Sequence, residues 1–167
     1  MANELLKRTP TSTGNRKVFT WSAWVKIGKL GDSVRLFETG TSSVTDRSIL
    51  YFSGNKFQYF TEIGNIGKGS LSTDAIFRDV SSWYHVIWAF DLTKSSIKIY
   101  VNGVDQPLTP TVTIANESIY INATNTHYIG QSINLSTGYL QGELSDILKK
   151  YNVTGIDANA LAIQLQE

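Results

Sequence analysis

The stretch that decides the fold is residues 83–103, Trp-Tyr-His-Val-Ile-Trp-Ala-Phe-Asp-Leu-Thr-Lys-Ser-Ser-Ile-Lys-Ile-Tyr-Val-Asn-Gly. One face of its first nine residues is wholly apolar and the other largely so, which predicts a central, buried strand. A turn over residues 92–95 and an alternating run over residues 96–101 follow. Asn102-Gly103 is then a strong type I′ turn signal, because both residue types tolerate positive φ. The stretch therefore predicts a β-meander.

Alternation of apolar and polar residues extends in both directions from this meander. Residues 18–27 alternate strictly and predict a long strand. Residues 48–53 and 56–63 are aromatic-rich runs joined by Gly54-Asn55, a hairpin dipeptide. Shorter strands are predicted at residues 119–121, 128–131 and 139–147. Many short strands between polar, glycine-bearing turns indicate an all-β, antiparallel two-sheet sandwich.

Length and composition bound the class of protein. The chain has 167 residues, 41% of them hydrophobic, which suits one domain with a sizeable core. A net charge of +1 without clusters of Lys or Arg does not indicate nucleic-acid binding. The apolar runs are far shorter than the roughly 20 residues of a membrane span, and Met1 to Arg8 lacks the apolar centre of an export signal. Without cysteine, the fold is expected to rest on its core alone.

Three stretches together resemble the laminin-G-like, concanavalin-A-like lectin-glucanase jelly rolls of bacteriophage and large-virus structural proteins. They are residues 8–26, which begin Arg-Thr-Pro, residues 77–86, which end Trp-Tyr-His-Val, and residues 97–103, which end Tyr-Val-Asn-Gly. The last two carry the resemblance in fold, and the Arg-Thr-Pro opening carries the likeness to virus-encoded members. Tyr128-Ile-Gly130 and residues 138–147 extend the resemblance, which implies a jelly-roll sandwich in a virion component.

The chain is expected to divide into one domain and one short extension. Residues 1–150 are predicted to form the laminin-G-like jelly-roll domain, with a strand core over about residues 15–147. The segments before residue 15 and after residue 151 are expected to be peripheral, where contacts with other subunits are most easily made.

Residues 151–167 form the C-terminal extension, predicted as a short helix or strand. Asp157 could cap a helix, whereas Leu161, Ile163 and Leu165 alternate as in a strand, and we favour the helix. The alternation of these three apolar residues indicates that one side of the segment is buried against another surface. A trimer partner or a capsid neighbour is the favoured choice for that surface.

Catalysis is not predicted. Glucanases that share this sandwich use paired carboxylates on one face of a strand. Glu143 and Asp146 have an odd separation, which places them on opposite faces of a regular strand. His85 lies in the most buried predicted strand and lacks a nucleophile with spaced acids, so a packed structural histidine is the favoured interpretation. The chain is predicted to have no catalytic residues, with a degenerate glucanase as an alternative.

Sugar binding requires an exposed aromatic ring and hydrogen-bonding side chains beside it. Trp24, Tyr59 and Tyr139 are candidates for the ring. Asn125 and His127, in a polar stretch before a predicted strand, are candidates for the hydrogen bonds. Packing of the rings against the other sheet and a solvated loop histidine are the competing interpretations.

No cofactor or metal is predicted, and calcium is the one ion that would suit the fold class. Loop or strand-end acids are the candidate ligands, although none lies in a dense Asp/Asn loop: Asp32, Asp46, Asp74 and Asp105. Asn-x-Ser/Thr sequons are weak evidence for glycosylation in a chain so rich in these residues, and they start at Asn116, Asn122, Asn134 and Asn152.

Together these features predict a non-enzymatic virion protein, either a capsid decoration subunit or a fibre or tail module. Its expected partners are other virion subunits and host-surface glycans, with no nucleic acid and no membrane insertion. A homo-oligomer or a larger assembly is expected, located in the virion. The alternative is a cellular, extracellular carbohydrate-binding or adhesion module, in which the sequons would matter.

Overall fold

The computed structural model describes residues 6–41, 45–112, 116–133, 140 and 142–148, the last of these by their backbone alone. Twelve strands are present in this part of the chain, with one 3₁₀ turn at Leu92–Lys94. The strands are β1 (Leu6–Arg8), β2 (Val18–Ile27), β3 (Val34–Gly40), β4 (Arg47–Ser53), β5 (Lys56–Ile63), β6 (Ile66–Thr73), β7 (Trp83–Asp91), β8 (Ser96–Val101), β9 (Val104–Gln106), β10 (Leu108–Val112), β11 (His127–Ile129) and β12 (Gly142–Leu148).

The strands form two sheets, and every pairing is antiparallel. The seven-stranded sheet has the order β1-β11-β3-β4-β5-β6-β10, and the five-stranded sheet has the order β12-β2-β7-β8-β9. Pro107 lies between β9 and β10, where the chain passes from one sheet to the other, and its missing N–H costs no ladder bond there. The predicted all-β, antiparallel two-sheet jelly-roll sandwich is confirmed.

Large aromatic side chains fill the space between the sheets. Trp21 and Trp88 face each other in register on β2 and β7, and both are fully buried. Phe19 and Phe90 stack with ring centroids 4.4 Å apart. Tyr59, from the opposite sheet, packs edge-on against Phe90 at 5.1 Å. Alternation along β2, β5 and β7 thus places one face of each strand in this core.

The strongest sequence patterns correspond to strands residue by residue. The runs predicted at residues 18–27, 56–63, 83–91 and 96–101 are β2, β5, β7 and β8. The predicted hairpin dipeptides adopt positive φ at both positions, 59° and 63° in Gly54-Asn55 and 51° and 81° in Asn102-Gly103. These values match the backbone that two-residue hairpins require.

The strand predicted at residues 119–121 is wrong. Ile119 and Ile121 are buried, but they lie in a loop that fills one end of the sandwich without pairing to a neighbouring strand. Tyr120 N donates to Ser48 Oγ at 3.1 Å, and Arg16 Nε donates to Ile119 O at 2.5 Å. Alternating burial here comes from a loop inserted between two sheets, which the residue pattern cannot distinguish from a strand.

Two further expectations require correction. Part of the segment before residue 15 belongs to the sandwich, because β1 is the edge strand of the seven-stranded sheet, paired with β11, and Pro10 is buried. Strand β7 is central, but only its inner face is buried, since Trp83 on the outer face is 36% exposed. The expectations for residues 151–167 lie outside the described residues. Within the described part, no helix is long and apolar enough to cross a membrane.

Candidate functional site

The outer face of the seven-stranded sheet has a buried centre. Glu38 on β3 and Ile49 on β4 are paired in register, and alternation directs both side chains away from the core. They are nevertheless only 0% and 2% exposed. The residues around them on this face have long or aromatic side chains. We call the group the polar-aromatic patch: Arg35, Glu38, Arg47, Tyr51, Phe60 and Glu62.

A β-bulge in β3 creates the central ion pair of this patch. Pairing to β4 shifts between Arg35 and Phe37, so that Leu36 and Phe37 both face the core. In a regular strand, residues three apart point to opposite faces. Because of the extra residue, Arg35 and Glu38 lie on the same outer face. Arg35 Nε then donates to Glu38 Oε2 at 3.1 Å.

Each arginine of the patch rests on an aromatic ring and is paired with an acid. The Arg35 guanidinium lies 5.3 Å from the Tyr51 ring centroid. The Arg47 guanidinium lies 5.8 Å from the Phe60 ring centroid, with its Nε 3.6 Å from Glu62 Oε2. Stacking on a ring fixes the plane of a guanidinium and therefore the direction of its N–H donors. The patch thus combines oriented N–H donors, carboxylates and aromatic rings, and the charge of each arginine is balanced by a glutamate.

Two buried polar atoms of the patch lack a hydrogen-bond partner among the described residues. They are Glu38 Oε1 and Arg47 Nε, the latter being too far from Glu62 for a hydrogen bond. Leaving a buried polar group unpaired costs about 1–3 kcal/mol. Trp21 Nε1, Trp88 Nε1 and Tyr59 Oη are in the same condition in the core, so the two patch atoms differ only in lying on the outer side of a sheet. Burial raises the pKa of the Tyr51 phenol, against a lowering effect of Arg35 and Arg47. Its hydroxyl therefore remains a neutral donor at physiological pH.

The patch does not have the geometry of a glycosidase. Glu38 on β3 and Glu62 on β5 are separated by β4 and offset by two residues, which corresponds to about 12 Å between their Cα atoms. Each carboxylate faces an arginine. Apart from β12, no described strand carries two acidic residues on the same side of that strand. Pairing of β12 with β2 shifts between Ser145 and Leu148, so regular alternation does not extend across Asp146.

The outer face of the five-stranded sheet carries a second group, which we call the tryptophan platform: Trp24, Lys26, Trp83 and His85. Trp24 pairs in register with His85, and Lys26 pairs with Trp83. The Trp24 and His85 rings stack at 4.9 Å, and Lys26 Nζ lies 5.9 Å from the Trp83 ring centroid. His85 Nε2 is 3.0 Å from Ser22 Oγ, so the histidine is packed and hydrogen-bonded, as its structural interpretation predicts.

The predicted sugar-binding residues that the structure describes do not form one exposed site. Trp24 is 40% exposed on the platform. Tyr59 is wrong as a ligand-facing ring, because it is fully buried between the sheets. Asn125 is partly exposed in the loop before β11. Tyr139 lies outside the described residues.

His127 is wrong both as a sugar-binding candidate on the surface and as a solvated loop residue. It is 5% exposed at the start of β11, with its ring 5.5 Å from Phe37. Its Nε2 accepts a hydrogen bond from Asn122 N at 3.1 Å, so Nδ1 carries the proton and donates to Asn125 O at 2.8 Å. The histidine therefore holds the loop against the sheet.

The candidate calcium ligands are dispersed over separate elements. Asp32 pairs with Lys29 at 2.8 Å, and Asp105 pairs with Lys98 at 3.3 Å. Asp46 accepts from Gly64 N and Tyr120 Oη, which lowers its pKa, and Asp74 accepts from Thr109 Oγ1. Within the described part of the chain, no three His, Cys, Asp or Glu side chains are grouped as metal ligands.

The two described sequons differ in access. Asn116 is exposed, whereas Asn122 is 1% exposed and its Nδ2 donates to Asn15 O at 2.7 Å. The Asn122 amide is therefore unavailable for modification in the folded domain. Asn134 and Asn152 lie outside the described residues.

Comparison with known proteins identifies a family for this arrangement. The model of the concanavalin A-like lectin/glucanases superfamily matches residues 6–148. No protein of curated function matches the chain in sequence.

Several solved structures share the fold. Domains LG4-5 of the mouse laminin α1 chain superpose with a TM-score of 0.65 at 14% identity, over 93% of this chain and 43% of that chain. A proposed carbohydrate-binding protein from Bacteroides ovatus gives 0.61 at 16% identity, over 86% of this chain and 39% of that one. The Ruminococcus gnavus IT-sialidase CBM40, bound to α2,3 sialyllactose, gives 0.56 at 14% identity, over 82% and 85%. The chain therefore spans well under half of the first two, and at these identities the likeness concerns the fold alone.

Proposed function

The chain belongs to the concanavalin A-like lectin/glucanases superfamily, and we propose that it is a non-enzymatic glycan-binding module whose ligand occupies the polar-aromatic patch. The observation that carries this proposal is the Arg35–Glu38 pair, in which a fully buried carboxylate holds a partly exposed guanidinium on the outer face of the sheet. That guanidinium can donate to a sugar hydroxyl oxygen, and Glu38, which has no exposed surface, orients it from beneath.

The patch supplies the other requirements of sugar recognition. Tyr51 and Phe60 provide rings against which the apolar side of a pyranose can pack. Arg35 and Arg47 are partly exposed and provide N–H donors to hydroxyl oxygens. Because sheet strands rather than loops carry these groups, they are held in place before the ligand arrives, which reduces the entropy lost on binding.

We propose a neutral sugar as the ligand class. Each arginine of the patch is already paired with a glutamate, so there is no excess positive charge to attract an acidic sugar. The negative charge of Glu38 beneath Arg35 would also disfavour a ligand carboxylate at this place. The related fold of the Ruminococcus gnavus CBM40 is bound to a sialylated sugar, which makes sialylated glycans the informative comparison.

The arrangement of the acidic side chains supports the non-enzymatic part of this proposal. Glu38 and Glu62 lie on different strands, and each is paired with an arginine. A glycosidase needs two carboxyl groups across one glycosidic bond, about 5–9.5 Å apart. Turnover of a β-glucan panel would contradict this part of the proposal.

A glycan array tests the function. The full chain is applied to an array that contains neutral and sialylated glycans, beside the variant Arg35→Ala and the control Arg78→Ala. Arg78 is an exposed loop arginine away from the patch, so its replacement removes the same charge. Binding of neutral glycans that is lost only in Arg35→Ala is expected. Absence of binding to all glycans would overturn the proposal, and binding to sialylated glycans alone would overturn its ligand class.

For the biological setting, we propose a virion component outside the host cell, assembled with other virion subunits or with copies of itself. Its support is the resemblance of the Arg8-Thr-Pro opening to virus-encoded members. Arg8 ends the edge strand β1, and Pro10, which follows the strand, is buried. Mass spectrometry of purified parent virions should detect the chain in many copies. Its absence would favour the alternative, a cellular extracellular adhesion module.

A further inference from the structure

The outer face of the five-stranded sheet exposes large apolar side chains on adjacent strands. Val18 and Trp24 on β2 are 41% and 40% exposed, and Trp83 on β7 is 36% exposed. Ile87 and Tyr100 lie beside them in register and are half-buried. The exposed tryptophans contrast with Trp21 and Trp88 of the same strands, which are fully buried. Trp24 and Trp83 are diagonal neighbours on adjacent strands, whereas Val18 lies six residues from Trp24. Two exposed tryptophans side by side indicate a contact site.

Strand β12 forms the edge of this same sheet. It pairs with β2 from Gly142 opposite Ile27 to Leu148 opposite Ser22. Leu148, the last described residue of β12, therefore lies at the border of the exposed face, within two residues of the register position of Trp24, and residues 149–167 follow it in the sequence.

The sequence of residues 149–167 has the apolar content that such a face requires. Six of its side chains are large and apolar or aromatic: Tyr151, Val153, Ile156, Leu161, Ile163 and Leu165. Its length is also sufficient. The distance from β12 across β2 to β7 is about 10 Å, whereas the segment would span about 28 Å even if it were wholly helical.

We propose that residues 149–167 pack across the outer face of the five-stranded sheet of the same molecule and cover Trp24 and Trp83. The segment then acts as the partner of the tryptophan platform, and ligand binding is left to the polar-aromatic patch on the opposite sheet. This assignment replaces a neighbouring subunit as the surface that buries the alternating apolar residues Leu161, Ile163 and Leu165.

Tryptophan fluorescence of the full chain tests this proposal. The chain has four tryptophans, of which Trp21 and Trp88 are buried in the core. If residues 149–167 cover the platform, acrylamide should quench all four weakly, and the double variant Trp24→Phe/Trp83→Phe should not change the accessible fraction. If the platform is open, about half of the emission should be accessible and should disappear in the double variant, which would overturn the proposal.

A second full-length variant identifies the segment as the cover. Leu161→Asp/Leu165→Asp should release it, raise the accessible fraction and shift the emission to the red, while the control Gln164→Asp should leave both unchanged. No difference between the variants would contradict the proposal. Light scattering tests whether a second copy of the chain covers the face instead. If a dimer forms, and both the dimer and the protection of the tryptophans disappear on dilution, the face is a dimer contact. That result would overturn packing within one molecule.

Discussion

Arg35 Nε lies 3.1 Å from Glu38 Oε2 although the two residues are three apart in one strand. A regular strand would direct them to opposite faces, and the bulge at Leu36 brings them to the same one. One inserted residue thus places a buried carboxylate and its arginine in the middle of a sheet face, from which the proposed binding function follows.

Replacing Arg35 by Ala should weaken glycan binding roughly 30-fold. The loss of one charge-assisted hydrogen bond costs about 2 kcal/mol, which corresponds to that factor. Titration calorimetry with a glycan selected from the array measures the change. Arg78→Ala should keep wild-type affinity, and equal affinity of both variants would show that the ligand lies elsewhere.

Truncation of Tyr59 should mainly lower the stability of the fold, whereas truncation of Tyr51 should mainly remove glycan binding. Tyr59 is fully buried, so Tyr59→Ala should lower the free energy of unfolding by about 4 kcal/mol through the cavity it leaves. Tyr51 is half-buried on the outer face, so Tyr51→Ala should cost much less stability and remove glycan binding. Urea unfolding monitored by circular dichroism measures the first quantity. Greater stability loss in Tyr51→Ala would contradict the assignment of the two faces.

Acid should remove a stabilising contribution of Asp79. Hydrogen bonds from Ser81 and Ser82 lower the pKa of this carboxyl to about 2. A depressed folded-state pKa stabilises the fold above the unfolded value of about 4, and that contribution is lost as pH falls towards 2. Asp79→Asn should therefore melt below wild type at pH 7 and together with it near pH 2. Asp32→Asn is the control, and a constant gap at all pH values would contradict this account.

Chelation should not affect the protein. The candidate acids Asp32, Asp46, Asp74 and Asp105 each contact different partners. Thermal melting and glycan binding in EDTA should equal those in millimolar calcium. A melting temperature that rises with calcium would point to ligands that include residues outside the described part of the chain.

The strands that sequence patterns predicted are those in which alternation continues over many residues. β2 and β7 place a core residue at every second position, including Trp21 and Trp88, and tertiary packing preserved that pattern. In β5 the alternation also indicates the inward side, because Lys56, Gln58 and Glu62 share the face of Phe60 while Phe57 lies on the face of Tyr59. The pairing of Tyr59 with the core residue Leu50 agrees, so the burial of Tyr59 was open to prediction.

The candidate site could not be predicted from the alternation of residues. Arg35 and Glu38 share a face because of a bulge, and the spacing of the residues carries no signal for it. His127 is buried because the loop before it folds back through Asn122. Aromatic residues at Tyr51 and Phe60 were visible in the sequence, but the arginines over them come from strand pairing and from long-range packing.

The central claim is that the polar-aromatic patch binds a neutral glycan, and chemical shift mapping tests it most directly. The isotope-labelled full chain is titrated with a neutral glycan from the array while backbone amide and indole signals are followed. The account predicts the largest shifts at Glu38, Ile49 and Phe60 in β3 to β5, with the indole signals of Trp24 and Trp83 unchanged. Shifts confined to those two indoles, or none at β3 to β5 at saturation, would contradict it.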